Sequence, residues 1–145
     1  MKEICTWEGE MPKLTVDTIV VHDHKIVLIK RKNPPYKDYY ALPGGFVEDG
    51  EKVEEAAIRE TKEETGLEVR LVKLNGVYSD PKRDSRGHMV SICYLAEAIG
   101  GELREGSDAS SVATFELDNL PKLAFDHEEM IIDAREDLYG ILSGM

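Results

Sequence analysis

Three glutamates, Glu60, Glu63 and Glu64, stand close together in the sequence and are the residues best suited to chemistry. Residues 51–65 around them contain no glycine or proline and are rich in helix formers, so we predict a helix there. At about 100° per residue, the acids share one side of that helix with its apolar residues Val53, Ala56 and Ala57. That side should face the core, where an uncompensated carboxylate is costly. A hard divalent cation such as Mg²⁺ is the natural partner, because it takes oxygen ligands and leaves room for phosphates.

The alternative is a solvated, glutamate-rich surface helix held by pairs of residues four positions apart. It accounts for Glu54 and Glu55, but it does not account for inward acids that follow a flexible Gly44 and Gly45. Arg59 projects to the flank of the helix and meets only part of the need for positive charge. The metal interpretation therefore explains more of the pattern.

Residues 45–67 resemble the signature of the Nudix hydrolases. That pattern runs Gly, five residues, Glu, seven residues, Arg-Glu, an aliphatic residue, any residue, Glu-Glu, any residue, Gly and an aliphatic residue. Its charged and glycine positions are all filled here, by Gly45, Glu51, Arg59, Glu60, Glu63, Glu64 and Gly66. Thr61 departs from the aliphatic position, which is a mild change. The match covers 23 of 145 residues and is highly specific, because it fixes many positions at once.

The resemblance implies metal-dependent hydrolysis of a nucleoside diphosphate linked to another group. It implies that the carbonyl of Gly44 and the carboxylates of Glu60 and Glu64 hold Mg²⁺ or Mn²⁺. Glu63 is implied to act through the shell of ligands around the metal. A metal is needed because the negative oxygens of a diphosphate repel a nucleophile until their charge is neutralised.

The resemblance also implies an ion pair between Glu51 and Arg59 that fixes the loop against the helix. In several Nudix subfamilies the general base lies outside the signature, on the loop before a late strand. Residues 102–111 form that loop here, and Asp108 is the first choice because it lies nearest the next predicted strand. Glu105 is the second choice, and a merely solvated acidic loop is the alternative.

Substrate selection is expected outside the signature. Pro81 follows 14 residues after the end of the signature, close to the spacing at which ADP-ribose pyrophosphatases carry a proline. Residues 78–88 and 125–131 are also similar to that group. Arg83 and Arg86 are candidates to bind phosphate or ribose, and a plain charged loop is the alternative.

Aromatic residues are candidates to hold the base. Tyr40 and Tyr36 would stack on adenine, with core packing as the alternative for Tyr40. Asp126 is a candidate helix N-cap, and His127 beside it is a candidate substrate contact.

These residues require a scaffold of strands and helices, and the hydrophobic pattern supplies one. It predicts a hairpin over residues 14–21 and 25–31, followed by a strand over 69–79 that is interrupted at Gly76. It also predicts an apolar central strand over residues 88–99, a late strand over 112–117 and a closing helix over 123–142. Residues 1–10 are interpreted as an edge strand or arm. Strands around two helices indicate an α/β fold, an α/β/α sandwich with a mixed sheet, over one domain of residues 1–145. The resemblance implies the same fold.

Net charge, hydrophobic runs and cysteine content indicate which partners and which location to expect. A net charge of −11 argues against nucleic acid as a partner, because a phosphate backbone needs a basic surface. No apolar run approaches the about 18 residues of a membrane span, and the first residues lack a signal-peptide core. Cys5 and Cys93 fit reduced thiols in a cytoplasmic protein.

The predicted reaction is therefore hydrolysis of ADP-ribose to AMP and ribose 5-phosphate. One alternative is a house-cleaning hydrolase of an oxidised nucleoside triphosphate. A less favoured alternative is a non-catalytic ADP-ribose sensor, which in similar regulators carries an added DNA-binding domain. ADP-ribose pyrophosphatases are often homodimers, so a homodimer is a further expectation from the resemblance.

Overall fold

The computed structural model describes residues 11–106 and 109–143. Within these residues, seven strands form one mixed sheet that is covered by three helices. The strands are β1 (Lys13–His22), β2 (Lys25–Arg31), β3 (Tyr40–Ala41), β4 (Gly44–Phe46), β5 (Leu67–Tyr78), β6 (Met89–Gly101) and β7 (Ala109–Phe115). The helices are α1 (Val53–Thr65), α2 (His127–Asp133) and α3 (Arg135–Ser143).

β1 lies in the middle of the sheet, whose main path runs β3-β2-β1-β6-β5. It pairs with β2 in antiparallel and with β6 in parallel orientation, while β4 adds to β1 and β7 adds to β2. Because alternate residues of a strand point to opposite faces, Val16 packs with Ala56 of α1, whereas Ile19 packs with Met130 and Leu138 of the other two helices. The predicted α/β/α sandwich with a mixed sheet is confirmed.

α1 begins at Val53, two residues later than predicted, because Lys52 is still extended at φ −74° and ψ 149°. The N–H of Lys52 donates to the Glu55 carboxylate at 2.9 Å. This side chain replaces the carbonyl acceptor that N–H groups at the start of a helix lack. The helix ends at Gly66, whose φ of 79° is left-handed and whose N–H donates to the Lys62 carbonyl at 2.9 Å. The predicted glycine C-cap is therefore confirmed.

The prediction of a single closing helix over residues 123–142 is wrong, because the structure has α2 and α3 with Ala134 between them. Phe125 has a φ of 53°, which an α-helix excludes, so α2 starts only at His127. Asp126 occupies the predicted N-cap position, but its side chain makes no capping hydrogen bond and pairs with Arg83 instead.

The remaining differences concern strand ends. β7 begins at Ala109, earlier than predicted, because it already pairs there with Arg31 of β2. β6 is an inner strand, but β1 rather than β6 is central. The interruption predicted at Gly76 is confirmed by a register shift between Leu74 and Gly76.

The predicted arm over residues 1–10 lies outside the described residues. None of the described helices is both long and apolar enough to span a membrane.

Candidate active site

A cavity of about 490 Å³ lies where β1, β2, the β3–β4 segment, α1 and the loop of residues 79–88 meet. We call the lining carboxylates on and just before α1 the acidic wall: Glu48, Glu60 and Glu64. We call the lining guanidinium groups the basic wall: Arg31, Arg83 and Arg86. The fold thus brings six of the predicted site residues to one cavity, namely Gly44, Glu60, Glu64, Arg83, Arg86 and His127.

The acidic wall depends on close packing between β4 and α1. A Cβ atom placed on Gly45 would overlap the Glu60 carboxylate, so any other residue would require that carboxylate to move away from its position at the cavity. Glu64, one helical turn after Glu60, is only 6% exposed. Two carboxylates and the Gly44 backbone are therefore gathered at one side of the cavity.

Glu63 differs from its two neighbours and corrects the prediction that all three acids face inward. Its side chain is 58% exposed and lies 3.3 Å from Arg59 Nη1. It does not line the cavity. Glu60 and Glu64 are four residues apart and share a face of the helix, whereas Glu63 is turned about 100° from Glu64 toward solvent.

Arg59 binds the signature together. Its Nε and Nη2 donate to the two oxygens of Glu51 at 2.7 and 3.0 Å, which gives a bidentate pair. Its Nη1 also donates to Glu60 at 3.1 Å, and Nη2 reaches the Phe46 carbonyl at 3.0 Å. The hydrogen bond from Arg59 lowers the pKa of Glu51 to about 2.

The structure describes one of the two predicted general bases. Asp108 lies outside the described residues. Glu105 is exposed and does not line the cavity. The loop that carries it packs against the end of α1, where the Gly106 N–H donates to the Glu64 carbonyl at 3.2 Å. Its assignment as the base stays a prediction.

The two predicted arginines of the basic wall differ in their surroundings. Arg83 is only 5% exposed, and its Nη2 and Nε donate to Asp126 at 2.6 and 2.8 Å. Arg86 is 45% exposed and makes a similar bidentate pair with Asp84. Pro81, on the same loop, is exposed and lies outside the cavity lining.

Phe125 is a cavity residue that sequence reasoning missed. Its ring lies 4.9 Å from the Arg31 guanidinium carbon and 5.6 Å from that of Arg86. The Tyr36 ring packs edge-on against it at 4.9 Å. Arg31 was also missed, because it reads simply as the end of a strand. The proximity of Phe125 to His127 in the sequence was the available signal.

Tyr40 does not line the cavity, and the packing alternative holds for it. Its ring packs edge-on against Phe115 at 5.0 Å and contacts the main core cluster. Its stacking on adenine stays a prediction, which the packing of the ring against the core does not favour. Tyr36 is exposed and also lies outside the lining.

His127 lines the cavity but is only 3% exposed. Its Nδ1 accepts a hydrogen bond from the Leu42 N–H at 3.0 Å, and its Nε2 lies 3.5 Å from Asp17 Oδ1. Burial lowers the pKa of His127 and raises that of Asp17. The other Asp17 oxygen accepts a hydrogen bond from the Ser91 hydroxyl.

The donor set at the acidic wall fits a hard divalent cation. Among the described residues, no three His, Cys, Asp or Glu side chains are placed to hold a metal by themselves. Mg²⁺, however, is commonly bound by one or two carboxylates together with water and substrate phosphates. Glu60, Glu64 and the Gly44 carbonyl supply oxygen atoms only, as such a site requires.

A family model of the NUDIX domain matches residues 11–134. The chain therefore belongs to the Nudix hydrolase family, whose members in general use a divalent metal ion. It is 59% identical over 122 residues to the ADP-ribose pyrophosphatase of Methanocaldococcus jannaschii, covering 84% of this chain and 72% of that protein.

Two solved structures extend the similarity. The NUDIX domain of Shewanella oneidensis NrtR, complexed with ADP ribose, has a TM-score of 0.80 and 30% identity, with 90% of both chains covered. A bifunctional NMN adenylyltransferase/ADP ribose pyrophosphatase from Francisella tularensis, complexed with AMP and a Mn ion, has a TM-score of 0.76 and 28% identity. The match covers 90% of this chain and 43% of that one.

Proposed function

We propose that this protein hydrolyses the diphosphate bond of ADP-ribose to give AMP and ribose 5-phosphate. The observation that carries the proposal is the single cavity that combines the acidic wall of a Nudix signature with a basic wall. The high identity to an ADP-ribose pyrophosphatase supports the choice of substrate.

The acidic wall is proposed to hold Mg²⁺ or Mn²⁺ through Glu60, Glu64 and the Gly44 carbonyl. When bound, such an ion neutralises the charge of the diphosphate and makes a water molecule more nucleophilic. Arg59 holds Glu60 in place through the hydrogen bond described above, and Glu51 in turn holds Arg59. Glu63 is proposed to act through the shell of ligands around the metal, from the solvent side of Glu60 and Glu64.

A base must also take the proton of the attacking water. Asp108 is proposed for this role and Glu105 is second, as the resemblance implies. Changing each to its amide separately should identify the base, because only that change should lower kcat strongly.

The basic wall is proposed to bind the part of the substrate beyond the metal. Arg86 is the better exposed of the two predicted arginines and lies beside Phe125, so it can reach a ribose or phosphate oxygen. Arg83 is proposed to act from beneath, by holding the loop through Asp126. Pro81 limits the freedom of that loop before binding.

A panel of substrates with Mg²⁺ tests the proposal. We expect kcat/KM for ADP-ribose to exceed that for any nucleoside triphosphate by at least about tenfold, which corresponds to about 1.4 kcal/mol of transition-state discrimination. Chromatography should detect AMP as the nucleotide product. A preference for an oxidised nucleoside triphosphate would indicate the house-cleaning alternative, and tight binding without turnover would indicate a sensor. A cytoplasmic location is proposed because the two cysteines fit reduced thiols, and a homodimer is proposed from the resemblance, which light scattering tests.

A further inference from the structure

Three consecutive residues at the start of α2 reach three different parts of the cavity. The ring of Phe125 lies against Arg31 and Arg86 of the basic wall. Asp126 holds Arg83 of the same wall, and His127 binds the backbone of the segment that leads to Gly44. The last of these contacts reaches the acidic side of the cavity from a residue more than eighty positions away.

The contact between His127 and Leu42 is buried and directional. Leu42 lies between β3 and β4, so its N–H has no ladder partner of its own and takes His127 Nδ1 as acceptor at 3.0 Å. A buried backbone N–H that loses its acceptor is costly. Because Nδ1 accepts a hydrogen bond, the proton of the neutral ring is on Nε2, which faces Asp17.

Asp17 continues the same contact to Gly44. The two residues are paired in the register of β1 and β4, and the neighbouring Thr18 N–H donates to the Pro43 carbonyl at 2.9 Å. A Cβ atom on Gly44 would overlap the Val16 carbonyl and crowd the Asp17 carboxylate. The backbone of residues 42–44 is therefore held by β1 at Pro43 and Gly44 and by His127 at Leu42.

We propose that His127 is a positioning residue that fixes the backbone of residues 42–44 and thereby orients the Gly44 carbonyl at the acidic wall. The inference rests on the proposed function, in which that carbonyl is a metal ligand. It assigns His127 a different role from the direct substrate contact expected from the sequence. Residues that orient a metal ligand without touching the metal typically change metal affinity by about 10- to 100-fold when they are replaced.

Two substitutions at this position separate the roles of the ring nitrogens. Asparagine in His127→Asn places its amide oxygen near the position of Nδ1 and should keep the Leu42 hydrogen bond. Glutamine in His127→Gln extends toward the position of Nε2 and should lose it. Ile131→Val is the matched control, because this buried residue of the same helix lies in the core cluster and away from the cavity.

The first measurements use the protein without nucleotide. We expect hydrogen exchange of the Leu42 amide to be at least about fivefold faster in His127→Gln than in the wild type, as the loss of one neutral hydrogen bond predicts. The dissociation constant for Mn²⁺, measured by calorimetry, should rise about tenfold in the same variant. His127→Asn should stay within about threefold of the wild type in both measurements, less than the loss of one hydrogen bond.

Kinetics then distinguish positioning from substrate contact. In His127→Gln we expect the Mg²⁺ concentration for half-maximal activity to rise, while KM for ADP-ribose at saturating metal changes by less than about twofold. A raised KM with unchanged Mn²⁺ affinity would overturn the inference in favour of substrate contact. Equal losses in all three variants, following their stability, would also overturn it. Absence of ADP-ribose hydrolysis by the wild type would contradict the proposed function alone, because exchange and Mn²⁺ binding need no nucleotide.

Discussion

At the scale of single residues, Arg59 shows how the signature is held in shape. One guanidinium group donates to Glu51, Glu60 and Glu63 and also to the Phe46 carbonyl. This arrangement requires a planar group with several N–H donors, which lysine does not have. Arg59 therefore supports the acidic wall without itself lining the cavity.

Replacing Glu64 tests the acidic wall. Glu64→Gln keeps the shape of the side chain but removes the charge, so we expect kcat to fall by at least about a hundredfold, as for loss of a main electrostatic contact. The fold should persist, because the change reduces repulsion among neighbouring acids. Glu54→Gln, on the exposed side of α1, is the control and should keep near-normal activity. Near-normal turnover by Glu64→Gln would refute the assignment.

The Glu51 pair predicts a dependence of stability on pH. The pKa of Glu51 is about 2 in the folded protein against 4.5 for the ordinary side chain. Because the folded pKa is the lower one, the stabilisation is fully present above pH 4.5 and is lost as the pH falls toward 2. Chemical denaturation across that range should show Glu51→Gln less stable than the wild type near neutral pH, with the difference shrinking in acid. A difference that is independent of pH would contradict the assignment.

At the scale of elements, the sequence predicts the long, periodic segments better than the short ones. β2 follows from its continuous run of apolar, mostly β-branched residues, and the cap of α1 follows from the glycine that ends a stretch of helix formers. β3 and β4 have only two and three residues, so they carry no readable period and exist because β2 and β1 pair with them. The break before α2 arises from the backbone angle of Phe125, which no side-chain pattern reveals.

The residues of the candidate site likewise fall into those that the sequence predicts and those that only the fold reveals. Gly44, Glu60 and Glu64 were predictable because they stand within or beside one motif. Asp17 and Arg31 were not, because each resembles an ordinary strand residue until the fold places it at the cavity. Sequence alone also could not show that Glu63 turns outward, since the three acids lie within an arc of about 100° and the pattern does not show where the buried face ends.

The two arginines of the 79–88 loop should differ in their effect on substrate binding. Arg83→Ala leaves Asp126 in a largely buried position without its partner, and we expect a loss of about 3–5 kcal/mol in the free energy of unfolding. Arg86→Ala also leaves a buried carboxylate, that of Asp84, without its bidentate partner, so we expect a loss of stability there too. Because Arg86 itself is half-exposed at the cavity, we further expect a KM for ADP-ribose that rises more than kcat falls. Denaturation and steady-state kinetics on both variants test this, and an unchanged KM in Arg86→Ala would exclude the proposed contact.

At the scale of the whole molecule, charge is the dominant feature. The chain carries a net charge of −11, and its cavity adds acids from the β1 strand and the 79–88 loop to those of α1. Such a surface attracts divalent cations and repels polyanions. A free diphosphate should therefore bind poorly unless a cation accompanies it.

Removal of metal should abolish turnover reversibly. Excess chelator should reduce ADP-ribose hydrolysis to background, and added Mg²⁺ or Mn²⁺ should restore it. Because an ion that binds only the folded state stabilises it, Mn²⁺ alone should also raise the Tm. Glu64→Gln provides the control, since its Tm should respond less. Full activity in excess chelator would refute the metal proposal.

The acidic and basic walls are supplied by different segments of the chain, α1 with the residues just before it for one, and β2 with the 79–88 loop for the other. Changes on the two walls should therefore alter cleavage and binding to different degrees. In Glu64→Gln, Glu60 and the Gly44 carbonyl remain to hold a cation, so at high Mg²⁺ concentration this variant should bind ADP-ribose while cleaving it slowly. Coupled to a fluorophore on the exposed residues near Pro81, such a protein would serve as a reagentless detector of ADP-ribose in solution.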